Sequence, residues 1–311
     1  FAALLAERAR AGVDVLLLLD AFGSGPLRQG DWAERLEDSG VRIAWLRPLR
    51  WYSLHQADHR SHVRAIVIDG DVGYTGGFGL ADYWLGQGRA EDEWRETNVR
   101  VRGSAAGQLQ AAFATTWAEA TGRLLTGDAF FPRATFDSVG TVYAGMLHTT
   151  PTIGSTPAER FLALTIAGAE RRLWIANSYF VPDDDFRRLL VDAARRGVDV
   201  RILVPGDRTD VRTTLWAGRR HYGELLRGGV RIWEYGPTNM HAKTFVVDGR
   251  WSSVGSLNFD NRSLAFNDES TLVVDDAEIG RQMEAMFEAD LEHSVEVTLA
   301  DVARRPLHHR L

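Results

Sequence analysis

The sequence contains no cysteine among its 311 residues. Disulfide scaffolds, thiolate zinc sites and cysteine nucleophiles are therefore excluded. Long apolar segments are also missing, because runs such as residues 15–19 are far shorter than the roughly 20 residues that cross a bilayer. What remains, with 45% apolar and 25% charged residues, is typical of a folded globular protein long enough for about two domains.

Basic residues are fewer than acidic residues, at 36 against 42. The net charge is −6 at pH 7, which disfavours a protein that coats nucleic acid. The basic residues are nevertheless concentrated in two stretches, residues 42–64 and 201–231. Such stretches usually form solvated faces, but near a phosphate site they would draw an anionic group toward it.

The chain contains an internal repeat. Its matching segments keep their order and nearly their spacing, which chance does not supply, so we predict two structural copies. The pairs are GVDV at 12–15 and 197–200, GVRI at 40–43 and 229–232, and HVRAIVIDG at 62–70 with HAKTFVVDG at 241–249. We place the first half at residues 1–147 and the second at 148–311, which opens with a Gly/Pro/Thr-rich connector at 148–157.

The repeat continues upstream, where residues 1–12 match residues 186–197. In the second copy a strand-like run at 171–182 precedes this segment, and the first copy has no equivalent. We therefore expect the natural protein to extend N-terminally by at least one strand, with a membrane anchor as a further feature that could lie there.

Helices and strands alternate in each copy. An amphipathic helix ends at Gly12 or Gly197, and the apolar run that follows predicts a strand buried on both faces. Second helices are predicted at 31–38 and at 210–227, the latter capped by Asp210. The pattern predicts an α/β fold of two pseudo-twofold-related halves, each a mixed sheet flanked by helices.

The chemistry lies at matched positions of the repeat. His62 and Arg64 in the first copy, like His241 and Lys243 in the second, are two residues apart and share one face of a strand. An imidazole beside a cation and small residues is suited to phosphate. If the halves pack about a twofold axis, the two pockets merge into one site with no evident metal cage.

Such a site can transfer a phosphodiester without a metal or other cofactor. One neutral imidazole attacks phosphorus to form a phosphohistidine, and the opposite imidazole gives its proton to the leaving alcohol. Lys243 and Arg64 neutralise the non-bridging oxygens. A carboxylate on each imidazole would fix its tautomer, and Glu96 and Glu269 stand at matched positions downstream.

Five further residues are predicted to support the site. Gly77 in the first copy, and Ser256 and Asn258 in the second, are expected beside the phosphate. Asp69 and Asp248 end the two motifs, and each lies five residues after the cation, so its side chain projects to the opposite face of the strand. We therefore interpret them as structural residues that brace a strand end or the other half.

The second copy, with HAKTFVVDG followed by GSLN, resembles the HxKxxxxD…GSxxN signature of the phospholipase D superfamily. The surrounding sequence is similar to bacterial cardiolipin synthases over nearly the whole chain. The segments that carry this similarity include SYFVPDDDF at 178–186, VRILVPG at 200–206, YGPTNMHAKTFVVDG at 235–249, NFDNRSLAFNDE at 258–269 and WRETNVRV at 94–101.

The resemblance implies an active site between two α/β halves and ping-pong transfer of a phosphatidyl group to the hydroxyl of another lipid. It implies His62 as the nucleophile and His241 as the acid/base. The implied partners are an anionic, phosphatidylglycerol-like phospholipid and the surface of a membrane, the bacterial inner membrane. Nucleic acid is disfavoured by the acidic composition, and the sequence leaves the oligomeric state open.

Several alternatives remain open. Arg64 replaces the signature lysine, and Gly79 stands where the second copy has Asn258, which allows a catalytically impaired phospholipid-binding homologue. Water in place of the alcohol would give a phospholipase D-type or nuclease hydrolase. The set His55, His59 and His62 has a spacing compatible with zinc. The aromatic pairs 51–52 and 130–131 are candidates for contact with a lipid interface.

Overall fold

The structure, a computed structural model, describes residues 1–28, 30–48, 59–133, 139–150 and 157–305. Within these ranges the α/β prediction is confirmed. The helices are α1 (Ala2–Arg10), α2 (Trp32–Asp38), α3 (Ser104–Thr121), α4 (Pro157–Ala167), α5 (Asp184–Arg195), α6 (Arg212–Arg219), α7 (Tyr222–Arg227), α8 (Asn261–Ala265), α9 (Ala277–Leu291) and α10 (Leu299–Arg304). No helix in this part of the chain is both long and apolar enough to span a bilayer.

The strands form three sheets. They are β1 (Leu16–Asp20), β2 (Arg42–Leu46), β3 (Arg60–Ser61), β4 (Ala65–Ile68), β5 (Val72–Gly76), β6 (Asn98–Arg102), β7 (Tyr143–Thr149), β8 (Arg172–Asn177), β9 (Asp199–Pro205), β10 (Arg231–Tyr235), β11 (Lys243–Val247), β12 (Trp251–Gly255), β13 (Asn267–Asp275) and β14 (Ser294–Glu296). The largest sheet has the order β14-β10-β9-β8-β11-β12-β13-β3, and β7 also pairs with β13.

The second half is covered on both faces of this sheet. Strands β8, β9 and β10 run parallel, and β11 to β13 continue the sheet antiparallel. On one face Leu162 of α4 and Leu190 of α5 pack with Ile202 of β9, and on the other Phe287 of α9 stacks on Trp174 of β8. Burial on two sides explains why the central strands consist of continuous apolar runs.

The first half contains the same elements in two separate sheets. β1 pairs with β2 in parallel, whereas β4, β5 and β6 form an antiparallel sheet. In the second half β8 joins the equivalent strands β9 and β11, but no described strand lies between β1 and β4. A cavity of about 400 Å³ occupies this position, bounded by Leu16, Leu18, Ala65 and Ile66.

This difference corrects the prediction that β1 is buried on both faces. Leu16, Leu17 and Leu18 are only half-buried. Other apolar residues are also more exposed in the first half than at the equivalent positions of the second half, where α4 and β8 cover them. Phe1 is 57% exposed and its repeat equivalent Phe186 is 6% exposed, while Ile68 and Val247 are 48% and 6% exposed.

Two further predictions about the second half need correction. The helix predicted at 210–227 is two helices, α6 and α7, and Val211 rather than Asp210 stands at the start of α6. The connector predicted at 148–157 begins inside β7, which pairs with β13 across the boundary drawn at residue 147. Residues 151–156 lie outside the described ranges, and the division into halves stays our prediction.

Candidate active site

His62 is placed by a short strand pairing between the two halves. β3 pairs in parallel with the start of β13, and the His62 amide continues the ladder by donating to the Asp268 carbonyl at 2.9 Å. The imidazole is thereby brought beside the next residue of β13, with its Nδ1 3.0 Å from Glu269 Oε1. Because a carboxylate only accepts hydrogen bonds, this contact places the ring hydrogen on Nδ1.

His241 is placed in the same way by the opposite half. Arg95 and Met240 form a parallel bridge, and the His241 amide donates to the Arg95 carbonyl at 2.7 Å. The residue after Arg95 is Glu96, whose Oε2 lies 2.7 Å from His241 Nδ1. Each imidazole therefore has a carboxylate, as the sequence predicts, and each carboxylate comes from the other half of the chain.

The six predicted catalytic side chains form one electrostatic group. His62 interacts electrostatically with both His241 and Glu96, and the charges of Glu96 and Glu269 act on Lys243 and on Arg64. Glu269 and Lys243 are almost completely buried. The two half-sites thus lie close enough to act on one another.

Burial shifts the pKa values of the two ionisable side chains next to His241 toward neutral pH. It raises the pKa of Glu96 to about 7, against the opposing charge of Lys243. It lowers the pKa of Lys243 to about 8, against the opposing charge of Glu96. The pKa of His241 is well below its usual value because of burial first and the Lys243 ammonium second.

The two imidazoles differ in whether a described side chain contacts Nε2. Lys243 Nζ lies 3.1 Å from His241 Nε2 and 2.7 Å from Nδ1, so the ammonium covers that edge of the ring. In the part of the chain that the structure describes, no side chain bonds His62 Nε2. Two residues along the chain, Arg64 has a buried Nε without a hydrogen-bond partner among the described residues, and burial lowers the pKa of its guanidinium.

Two of the predicted supporting residues contact the carboxylates. Ser256 Oγ donates to Glu269 Oε2 at 2.5 Å. At the equivalent Gly77, a Cβ atom would lie 2.1 Å from Glu96 Oε2, so only glycine leaves room for that carboxylate. Asn258 is buried and its Oδ1 accepts a hydrogen bond from Ser178 Oγ at 2.8 Å.

The two motif aspartates lie in tight turns away from the imidazoles. Asp69 and Asp248 have φ values of 54° and 55° and each precedes a glycine of positive φ, in the three-residue turns that join β4 to β5 and β11 to β12. The Asp248 carboxylate also accepts hydrogen bonds from the amides of residues 170–172 at the start of β8. Its position is that of the structural brace predicted from the sequence.

Aromatic side chains around His241 are the part of the site that the sequence analysis missed. Trp84 meets the imidazole edge-on at 5.0 Å between centroids, and Trp94 lies at 5.4 Å. A Cβ atom at Gly79 would lie 2.5 Å from Trp84 Nε1, so the glycine gives Trp84 access to His241. The departure at Gly79 therefore has a packing reason. The spacing of the repeat cannot reveal this contact between Trp84 and His241, because Trp84 belongs to the first copy alone.

In the basic stretches, Arg64 interacts with the acids of the site, while several other described arginines pair with acids elsewhere. These pairs are Arg42 with Asp14, Arg47 with Asp268 and Glu119, Arg201 with Asp199, Arg219 with Glu234, and Arg231 with Glu296. A basic path toward the site stays a prediction. Of the interface candidates, Phe130 and Phe131 pack on the cluster around Trp117 rather than facing solvent. Residues 51–52 and His55 lie outside the described ranges, so the zinc set stays untested. Among the described residues no group of three or more potential ligands could hold a metal ion.

Comparisons with known proteins agree with this geometry. Residues 162–291 match the family described as "Cardiolipin synthase, PLD-like domain". The chain is 34% identical over 309 residues to a cardiolipin synthase of Alkalihalophilus pseudofirmus and 36% identical over 299 residues to cardiolipin synthase A of Pseudomonas putida. These alignments cover 99% and 96% of this chain and 61% of each relative, so the chain spans about three fifths of their length.

A solved structure supports the fold over the whole chain. The phosphatidylserine synthase of Haemophilus influenzae superposes with a TM-score of 0.65 at 12% sequence identity, covering 100% of this chain and 89% of that one. This likeness shows the fold, and the sequence matches show that the chain is similar to cardiolipin synthases and to their PLD-like domain.

Proposed function

We propose that the protein is a phosphatidyltransferase that joins two phosphatidylglycerol-like lipids through a phosphohistidine. The observation that carries the proposal is the pair of crossed His–Glu contacts, His62 with Glu269 and His241 with Glu96, in one pocket with two cations. The curated relatives named cardiolipin synthase support the choice of substrate.

In the first step the Nε2 lone pair of His62 attacks phosphorus, and the bond from phosphorus to the leaving glycerol oxygen breaks. Glu269 holds the ring hydrogen on Nδ1, which leaves Nε2 free to attack. The leaving oxygen takes a proton from His241. That proton is drawn from the group formed by His241, Glu96 and Lys243, whose carboxyl and ammonium have pKa values of about 7 and about 8.

In the second step the acceptor hydroxyl gives its proton to His241, and its oxygen attacks phosphorus as the nitrogen–phosphorus bond breaks. The products are a lipid with two phosphatidyl groups and free glycerol, so atoms and charge balance over the two steps. Lys243 and Arg64 are the cations that face the non-bridging oxygens, where negative charge grows in both transition states.

We also propose that the protein works at a membrane surface, as its lipid substrates require. Apolar side chains are exposed in the segment that carries Trp84 to the site, namely Leu80, Tyr83 and Leu85. An apolar rim beside the pocket would seat the site at the boundary of headgroups and acyl chains. A bacterial inner-membrane location belongs to this proposal and rests on the relatives.

A product assay tests the function. Vesicles of phosphatidylglycerol are incubated with the protein, and we expect a dimeric phospholipid plus glycerol, with phosphohistidine trapped at His62. His62→Asn and His241→Asn should each abolish turnover. Phosphatidic acid as the main product would show a hydrolase, cleavage of DNA instead of lipid would show a nuclease, and binding without turnover would show an impaired homologue.

A further inference from the structure

A cavity of about 460 Å³ is lined by strands of both copies and lies apart from the catalytic side chains. Its volume is in the range of small-molecule sites, and none of the six predicted catalytic residues lines it. The segment 97–103, which contains β6, forms one wall. The other half contributes apolar side chains from β12, β13 and α9, namely Val254, Leu272, Val274, Ile279 and Met283.

The cavity runs along an edge of β6. Neighbouring side chains of a strand point to opposite faces, yet every residue from 97 to 103 lines the cavity, as expected where a cavity follows a strand edge. β5 pairs with one edge of β6, and the described ranges contain no partner strand for the other. The equivalent strand β13 is paired on both edges, by β12 and by β7. The cavity therefore corresponds to the place that β7 occupies beside β13.

The polar groups of the cavity gather at one end. Ser252 pairs with Val274 across the sheet, and Val274 packs with Val101 of β6. Ser252 lies two residues from Val254 and so shares its face of β12. The Ser252 hydroxyl is buried and has no hydrogen-bond partner among the described residues. Arg100, next to Val101, lines the cavity and is exposed, and no carboxylate in the described part of the chain pairs with it.

The opposite end of the cavity is apolar. There Val99 packs with Val254 and Met283. A compact polar ligand would leave this end unfilled, and a plain hydrocarbon would leave the buried Ser252 hydroxyl without an acceptor. A single aliphatic chain with an anionic group at one end fits both ends of the cavity.

We propose that this cavity binds a long-chain fatty acid in its ionised form. The chain lies against Val99 and Met283, and the carboxylate accepts a hydrogen bond from Ser252 Oγ and faces Arg100. The site is separate from the one at which the lipid substrate would react, so the proposal does not depend on the proposed function.

Calorimetric titration of the protein with dodecanoate, below its micelle concentration, tests the site. We expect a one-to-one complex. Octanoate should bind about a hundredfold more weakly, because four fewer methylene groups are buried. Absence of dodecanoate binding, or equal affinity for the two acids, would overturn the proposal. This comparison uses the unsubstituted chain and so does not depend on the folding of a variant.

Two substitutions test the polar end. Ser252→Ala should weaken dodecanoate binding about tenfold, the effect of one buried hydrogen bond to a charged group. Arg100→Gln should weaken it about fivefold, the effect of one exposed ion pair. Arg123→Gln is the matched control, because Arg123 is an exposed arginine just beyond the end of α3, whose first turn lines the cavity. Equal losses in Arg100→Gln and Arg123→Gln, or no loss in Ser252→Ala and Arg100→Gln, would contradict the assigned position of the carboxylate.

A competition experiment separates a free fatty acid from the acyl chain of a substrate lipid. Dihexanoyl phosphatidylglycerol, a soluble lipid with two short chains, is added to the dodecanoate complex. We expect the affinity for dodecanoate to stay unchanged, because the two ligands occupy different sites. Displacement of dodecanoate by this lipid would overturn the proposal, since the cavity would then belong to the path of the substrate.

Discussion

At the scale of single residues, Lys243 lies close to both ring nitrogens of His241 and helps to lower the pKa of that imidazole. The ammonium, the imidazole and the Glu96 carboxyl are buried and close to one another, so the protonation of each depends on that of the other two. Among the described residues, His62 has the Glu269 carboxylate at Nδ1 and no cation on its ring nitrogens. The two histidines of the same motif thus have different neighbours.

This arrangement predicts the pH dependence of Glu96→Gln. The wild-type rate should fall as pH rises through about 8, because Lys243, with a pKa of about 8, then loses the proton that sustains His241 as an acid. Removing the Glu96 carboxylate removes a charge that raises the pKa of Lys243, so the fall should begin at lower pH. The maximal rate should drop about 10²-fold, as for loss of general acid catalysis.

The measurement is the rate of turnover against pH for wild type and variant. Glu91→Gln is the control, since Glu91 is an exposed carboxylate in the same segment, paired with Arg208. An alkaline limb at the same pH in Glu96→Gln and wild type would contradict this dependence of each group on the other two.

At the scale of elements, the pairing of β3 with β13 places one half of the site. It is backed by a buried ion pair, in which Arg47 Nη1 lies 2.9 Å from Asp268 Oδ2 just before Glu269. Burial raises the pKa of Asp268 to about 6 even with Arg47 beside it. The carboxyl therefore favours folding most when protonated, and this contribution to stability is lost as pH rises from its unfolded pKa of about 3.8 through about 6.

We expect Arg47→Ala to lower the free energy of unfolding by about 3–5 kcal/mol at pH 8, where Asp268 is left charged and buried. At pH 5 the loss should be smaller, because Asp268 is then protonated and needs no partner. Chemical denaturation at the two pH values measures this. The exposed pair of Arg42 with Asp14 provides the control, since Arg42→Ala should cost no more than about 1 kcal/mol at either pH. A loss independent of pH would rule out an electrostatic origin.

Equivalent apolar residues of the two copies are exposed to different extents, and thiol labelling can test this difference. The protein has no cysteine, so an introduced cysteine would be its only thiol. Ile68→Cys and Val247→Cys place one thiol at equivalent positions of β4 and β11, which are 48% and 6% exposed. A maleimide should label the first thiol at least about a hundredfold faster, because the second reacts only after the core opens. Equal rates would show that the space between β1 and β4 is closed in solution.

The alternating elements and the matched motifs could be predicted from the sequence because they recur in the repeat, and so could the histidines and glutamates that the structure brings into contact. The sequence did not predict which glutamate serves which histidine, since that depends on pairings such as Arg95 with Met240 between distant segments. The aromatic residues Trp84 and Trp94 were missed for a related reason: they break the symmetry of the repeat. The burial of β1 was overestimated because an apolar run shows what a strand could bury and not what covers it.

At the scale of the whole molecule, exposed apolar side chains lie next in sequence to a residue of the site. Leu85 is 70% exposed and follows Trp84, which contacts His241. Leu164 on α4 is 73% exposed and belongs to the second half. The two leucines allow the orientation of the protein on a lipid surface to be tested.

We expect Leu85→Glu to weaken binding to phosphatidylglycerol vesicles about tenfold, which corresponds to the transfer of one leucine side chain out of water. Leu164→Glu should bind like the wild type. Co-sedimentation with vesicles measures both. An equal loss in the two variants would indicate binding through net charge alone, and no loss in Leu85→Glu would remove this segment from the membrane contact.

The exchange of acids between the halves has a consequence for a copy on its own. Glu269 serves His62 and Glu96 serves His241, so a solitary copy would leave its own histidine without a base. Two separate copies would have to associate before either histidine had its carboxylate, and the single chain holds the two copies together.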